Sequence, residues 1–211
     1  MPNNEINSDK VLFVEGLTDK GFFEELLKHL GLYDVQVIEI NGVGEFKNQI
    51  PLYLKSSNRK RIRKLALIRD ADKSEMAAFE CCKNIILRLA DKRFSSAINN
   101  KTKIKKIFYP GNPSIGIYIL TKVNQNKGML EDLLWEVVHP NTKICIDKFL
   151  LCVNPTKNMY KNYSKNRIYA FLASQNEGLG SIGLAAQKKI WKFETETVFN
   201  ELKEFLNGFR D

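Results

Sequence analysis

Four short apolar runs mark the first 120 residues, and each stops abruptly at a polar or turn-forming residue. The first, "VLFV" at residues 11–14, has no polar alternation. Both of its faces are therefore buried, as in a central parallel strand. Residues 35–40, "VQVIEI", and 65–72, "LALIRDAD", read as the second and third strands. Between them the apolar period changes. Phe22, Phe23, Leu26, Leu27 and Leu30 form one helical stripe, with Thr18 as its cap and Gly31 as its stop. "NGVGE" leads into a helix from Glu45 towards Lys55, with Pro51 near a break or kink. After Ser74, a fair N-cap, Phe79, Cys82, Ile85, Ile86 and Leu89 mark a third helix. This β-α-β-α-β-α order predicts an open parallel sheet with helices on both faces.

The later chain is more mixed. "KIKKIFYPG" and "IGIYIL" read as two more strands. "GMLEDLLWEVVH" reads as a helix with Leu130, Leu133, Leu134 and Val137 inside. Helical pieces follow near 145–152 and 165–174, and a last helix carries Val198, Phe199, Leu202, Phe205, Leu206 and Phe209. "NPTKNMYKNYSKN" is the candidate for a long exposed loop. The expected organisation is an α/β core over 1–125 and a mainly helical part over 126–211 packed on the same domain. No repeat or low-complexity tract interrupts it.

Composition narrows the class. The chain has 211 residues, 44% hydrophobic and 27% charged, enough for a packed core and unlike a disordered or fibrous protein. The net charge of +9 favours a polyanion partner. Cys81, Cys82, Cys145 and Cys152 form no C-x-x-C and read as reduced thiols. The polar start "MPNNEINSDK" has no signal-like apolar segment, and no apolar run approaches a membrane span. The expectation is a cytoplasmic protein without a membrane partner, its oligomeric state left open.

The chemistry begins at "LALIRDADKSE". A buried strand ends, and Asp70 and Asp72 follow one residue apart. Ligands in open parallel sheets bind beyond the carboxyl ends of the strands. Glu15 ends the first strand, Asp70 and Asp72 end the third, and Asp19 lies one helical turn after Glu15. If the two strands are neighbours, these acids converge. Close carboxylates repel without a counterion, and hard oxygen ligands suit magnesium or manganese. Taken singly, each acid reads equally well as a loop or turn residue.

"VLFVEGLTDKGFFEELL" followed by "LALIRDADKSE" resembles the TOPRIM domain, over about residues 8–125. Its motifs are a glutamate-glycine after the first strand, here Glu15-Gly16, and a D-x-D after the third, here Asp70-Ala71-Asp72. "GIYILTKVNQNKGMLEDLLWEVV", "SKNRIYAFLAS" and "GLAAQKKIWKF" resemble a bacterial and archaeal group of stand-alone TOPRIM proteins related to the OLD-family nucleases. That resemblance implies a divalent-metal-dependent phosphodiesterase or nuclease. It implies Glu15, Asp19, Asp70, Asp72 and Glu131 as metal ligands, with Lys165 joining Glu15, Asp70 and Asp72 in catalysis. Met129 departs from the OLD pattern, which often has a small hydroxyl residue there. Glu131 and Asp132 also fit a solvated polar helix face.

The basic segment "NRKRIRK", with Arg59, Lys60 and Arg61, and the segment "KNMYKNYSKNR", with Lys157, Lys161 and Arg167, are candidate nucleic-acid contacts. A solvated helix end explains the first equally well. No P-loop is present, so a separately encoded ATPase partner is implied by analogy with OLD nucleases. Topoisomerase and primase activities lack their further domains and zinc ligands here. A haloacid-dehalogenase-type phosphatase or a receiver domain would place its acids after the first strand. A non-catalytic TOPRIM module that binds nucleic acid or a partner is the main alternative. His29 and His139 read as structural, and Trp135 and Trp191 as core aromatics.

Overall fold

The computed structural model describes residues 5–55, 61–99, 101–104, 106–155 and 162–211. Strands Lys10–Val14 (β1), Val35–Glu39 (β2), Lys64–Asp70 (β3), Phe108–Tyr109 (β4) and Ser114–Leu120 (β5) form one sheet. Their order is β2-β1-β3-β5-β4. β1 pairs in parallel with both β2 and β3, and β3 pairs in parallel with β5. Only the short edge strand β4 runs antiparallel, against β5. The two strands that carry the acids are therefore neighbours.

Strand alternation sorts the apolar side chains into two layers. Val11, Phe13, Leu65, Leu67, Ile115, Ile117 and Ile119 face helices Phe46–Tyr53 (α2), Glu75–Leu87 (α3) and Lys92–Ser95 (α4). Leu12, Val14, Ala66, Ile68, Tyr118 and Leu120 share the second cluster with helix Leu17–His29 (α1) and the later helices. Those are Leu130–Glu136 (α5), Pro140–Val153 (α6), Tyr163–Ala173 (α7), Ile182–Gln187 (α8) and Asn200–Asn207 (α9). Both faces are thus covered. Each buried Phe or Leu contributes about 1.5–3 kcal/mol relative to exposure. No described helix is long and apolar enough to cross a membrane.

Several local expectations are corrected. The α1 cap is Gly16 with Asp19, not Thr18: Asp19 Oδ2 accepts the Gly16 N–H at 3.0 Å. Pro51 lies inside α2, as expected, and the helix ends soon after it at Tyr53. The expected strand over 103–111 is reduced to Phe108–Tyr109. The last helix is a 3-10 turn, Thr197–Phe199, followed by α9. The expected long loop loses its end to α7, which starts at Tyr163. The short helices α4 and α8 were not anticipated. Ser74 does cap α3, its Oγ accepting the Ala77 N–H at 3.2 Å.

Helix α8 docks on α1 through two glycines. A Cβ on Gly183 would lie 2.8 Å from Gly21 Cα, so the backbones meet directly there. Beyond β5, the chain turns back through Lys122 and Lys127 to Gly128. Gly128 and Asp72 exchange both backbone hydrogen bonds, at 2.9 and 3.0 Å. This bridge fixes the loop after β3 against the entry to α5. Asp72 adopts a left-handed backbone, φ 51°, to make it.

Candidate metal centre

The two ends of the sheet treat charge differently. At the amino end, acids and bases are paired. Lys10 is buried, yet its Nζ lies 2.8 Å from Asp34 and 3.3 Å from Asp211. Arg63 bridges Asp9 at 2.5 Å and Asp211 at 3.3 Å. At the carboxyl end, acids gather with few partners.

Asp70 closes β3 and is 8% exposed. Its Oδ1 accepts the N–H of Leu130, the first residue of α5, at 3.0 Å. Burial drives its carboxyl well above the usual aspartate range, and Asp19, Glu15 and Glu131 add to the effect. Asp19 leans back from the first turn of α1. Its carboxyl is pushed up to about 7, chiefly by burial, then by the charges of Glu131 and Glu15. The Gly16 N–H opposes this. Glu131, in the first turn of α5, is 3% exposed. Burial raises its carboxyl, while Lys165 pulls it down.

Lys165 is half-exposed on α7, its Nζ 3.8 Å from Glu131 Oε1. Burial works to lower its ammonium. Glu131, Asp70, Asp19 and Glu15 together outweigh that, so it holds its proton above the usual lysine range. Lys165 thus senses four carboxylates of the cluster. Glu15 follows β1 directly. Burial raises its carboxyl, with Asp72 adding and Arg69 and Lys165 opposing. Its Oε2 is buried without a hydrogen-bond partner among the described residues.

The sequence-predicted acids therefore come to one edge: Glu15, Asp19, Asp70, Asp72 and Glu131, with Lys165 beside them. Asp72 is the outlying member, exposed and 3.9 Å from Arg69 Nη2. Among the described residues, no three His, Cys, Asp or Glu side chains stand as a ready-made metal cage. The donor set still fits a hard divalent cation. It is all oxygen, it includes the orphaned Glu15 Oε2, and its mutual repulsion is the charge such a cation would neutralise. Glu15, Asp19, Asp70 and Glu131 could hold the ion, with Asp72 at the rim.

Two nearby residues, Arg69 and Glu39, escaped the sequence reading, and Asp132 was weighed there as a polar helix face. Arg69, inside the third apolar run, lies against Glu15 and Asp72. Asp132 is a positioning group: it accepts the Met129 N–H at 3.1 Å and the Ser164 hydroxyl at 2.6 Å, tying α5 to α7. Glu39 ends β2 beside Val14, and its Oε2 also lacks a partner among the described residues. Each sits inside a strand or helix pattern that already explained it; only its neighbours in space reveal the role.

The basic candidates fare differently. Arg59, Lys60, Lys157 and Lys161 lie outside the described residues. Arg61 is exposed beside Asp9 and Asp34 at the amino end of β3. A seven-residue strand, about 20 Å, separates it from Asp70, so it is not part of the cluster. Arg167 is held in a bidentate pair with Asp147, at 2.7 and 2.6 Å, and packs over Tyr163 and Trp135. That makes it a tie between α6 and α7. Trp135 and Trp191 are core residues, as expected. His139 caps α6, its Nδ1 accepting the Asn141 N–H at 3.3 Å. The described cysteines are free thiols, of which Cys82 is fully buried.

Comparison with known proteins gives a bounded result. The fold was aligned with the C-terminal region of the OLD protein of Xanthomonas campestris pv. campestris at a TM-score of 0.47 and 11% identity, covering 95% of each chain. The search of curated proteins gave no match. A family model described as "Protein of unknown function (DUF3226)" matches residues 9–211, and the chain belongs to that family.

Proposed function

We propose that this protein is a divalent-metal-dependent phosphodiesterase, a nuclease, working at the carboxylate cluster. One observation carries the reading. Glu15, Asp19, Asp70 and Glu131 share the carboxyl edge of two neighbouring parallel strands, and each is held above its ordinary proton affinity by burial. Such a cluster opposes folding unless protons or a cation neutralise it, and clusters of this kind gather at functional sites. The Glu15-Gly16 and Asp70-x-Asp72 resemblance to TOPRIM nucleases supports the same reaction class.

The chain's own groups divide the work. Leu130 N–H and Gly16 N–H orient Asp70 and Asp19, so these carboxylates are preorganised rather than mobile. A bound magnesium or manganese ion would supply Lewis acidity at a phosphoryl oxygen and a more acidic water. Lys165 keeps its proton and stands beside Glu131, so it can face the charge that grows on a phosphate. Glu15 carries a raised carboxyl and an unpartnered Oε2, which suits it to accept or return a proton.

A second reading is a non-catalytic module that binds nucleic acid or a partner. The net charge of +9 suits it as well as it suits a nuclease. Cleavage separates the two. Supercoiled plasmid, single-stranded DNA and structured RNA are incubated with magnesium, manganese or chelator, using wild type and the Asp70→Ala, Asp72→Ala double variant. Metal-dependent cutting that the variant loses supports the nuclease. Binding without cutting, in either metal, supports the module. A separately encoded ATPase is the proposed partner; co-purification from native extract tests it.

A further inference from the structure

Arg69 is the unexplained cation of this site. It lies in β3 between Ile68 and Asp70, and strand alternation sends it to the α3 side while Asp70 turns to α5. Its side chain is only 11% exposed. Its Nε is buried without a hydrogen-bond partner among the described residues. Of the two acids near it, Glu15 makes no hydrogen bond to it and Asp72 lies 3.9 Å from Nη2, too far for one. A buried N–H left unpaired is costly, so Arg69 Nε is suited to a further acceptor.

A cavity supplies the place for one. Arg69 lines a cleft of about 780 Å³ with Asp72, Lys73, Met129, Asn162 and Tyr163. That size suits one nucleotide unit. The amino end of α3 borders it but is already engaged. Ser74 takes the Ala77 N–H, and Asn126 O takes the Glu75 N–H at 2.6 Å. The binding charge in the cleft is therefore Arg69, with exposed Lys73 at the rim.

Two orphans of opposite sense lie on the same side of the site. Glu15 Oε2 lacks a donor or cation, and Arg69 Nε lacks an acceptor. Arg69 is near enough to lower the Glu15 carboxyl, yet the two are not bonded to each other. A phosphate would answer the second and a cation the first. We propose that Arg69 and its cleft hold a backbone phosphate of a bound nucleic-acid strand, next to the carboxylate cluster. This rests on the nuclease reading for the identity of the polyanion. Arg69 then positions the strand; its planar fork matches phosphate oxygens in a way a lysine does not.

The test is binding, read in chelator so that cleavage does not enter. Fluorescein-labelled single-stranded and duplex oligonucleotides are titrated by anisotropy over a salt series. Each lost phosphate contact reduces the slope of log K against log salt by about 0.7 for single strands or 0.9 for duplex. Arg69→Gln is expected to lose that slope and about tenfold in affinity at moderate salt. Arg69→Lys should keep most of the slope but lose severalfold in affinity. Adding Asp72→Asn to Arg69→Gln restores the local charge balance and should not restore binding.

Full recovery in that double variant, or an unchanged slope in Arg69→Gln, would make Arg69 a counterion for Glu15 and Asp72 and overturn the proposal. So would wild type that binds neither strand, in chelator or with calcium in its place. If Arg69→Gln does not fold, Lys73→Gln on the rim carries the same slope test with the same outcomes. Wild type that binds with the Arg69 signature but cuts nothing sinks the nuclease reading alone. Wild type that cuts, with Arg69→Gln binding normally, sinks this inference alone.

Discussion

Asp19 offers the sharpest quantitative prediction, because its carboxyl moves from 3.8 to about 7 on folding. Between these values the folded chain keeps a proton that the unfolded chain has lost. Its contribution to stability is therefore fully present below about pH 4 and is lost as pH rises through about 7. At 1.36 kcal/mol per pH unit the loss reaches about 4 kcal/mol, or about 2–4 kcal/mol for a half-buried group. Asp19→Asn removes the titration but keeps an oxygen for the Gly16 N–H. In chelator, urea unfolding of both proteins at about pH 4 should give similar stabilities. At pH 8 the variant should be the more stable by about 2–4 kcal/mol. Magnesium should reverse the order, because wild type alone can exchange the proton for the ion. A stability difference equal at both pH values would refute the argument, since the carboxyl would then not titrate as its surroundings dictate.

Other substitutions separate site from scaffold. Asp70→Asn should abolish any rise in melting temperature caused by manganese at pH 8, with little change of fold in chelator; differential scanning calorimetry reads both. Gly128→Ala should destabilise by about 2 kcal/mol or more, because φ is +131° and a Cβ would lie 2.4 Å from Lys122 N. It should also free Asp72 from its bridge, so metal affinity, read by calorimetric titration, should fall with it. Gly183→Ala should cost about 1–3 kcal/mol in urea unfolding by forcing α8 off α1, and leave metal affinity unchanged. Arg167→Gln should lower stability through Asp147 and leave the salt slope of nucleic-acid binding untouched.

The sheet was legible in the sequence where burial acts on both faces. "VLFV" and "LALIRDAD" read as central strands because no polar residue alternates through their apolar cores, and β1 and β3 are central and adjacent. That adjacency brings Glu15 and Asp70 to one edge. The α5 placement of Glu131 was legible only through resemblance, because Leu130, Leu133 and Leu134 alone would leave it on a polar face. Helix α8 was missed because its docking depends on Gly21 and Gly183, which give no apolar signal. The strand expected from "KIKKIFYPG" shrinks to Phe108–Tyr109, and Lys106 before it pairs with Glu201 at 2.6 Å and lies over Tyr118. The structural tie made by Arg167 was not legible for a similar reason. Its partner, Asp147, is on another helix, and no local spacing announces it.

The most direct test of the central claim, that these carboxylates are arranged for a divalent cation, is a manganese titration followed by electron paramagnetic resonance of the free ion. It is run at pH 8 on wild type, Asp70→Asn and Glu131→Gln. The account predicts saturable sub-millimolar binding to wild type, competed by magnesium and lost or strongly weakened in both variants. Wild type that leaves manganese free into the millimolar range, or variants that bind it as well as wild type does, would contradict it.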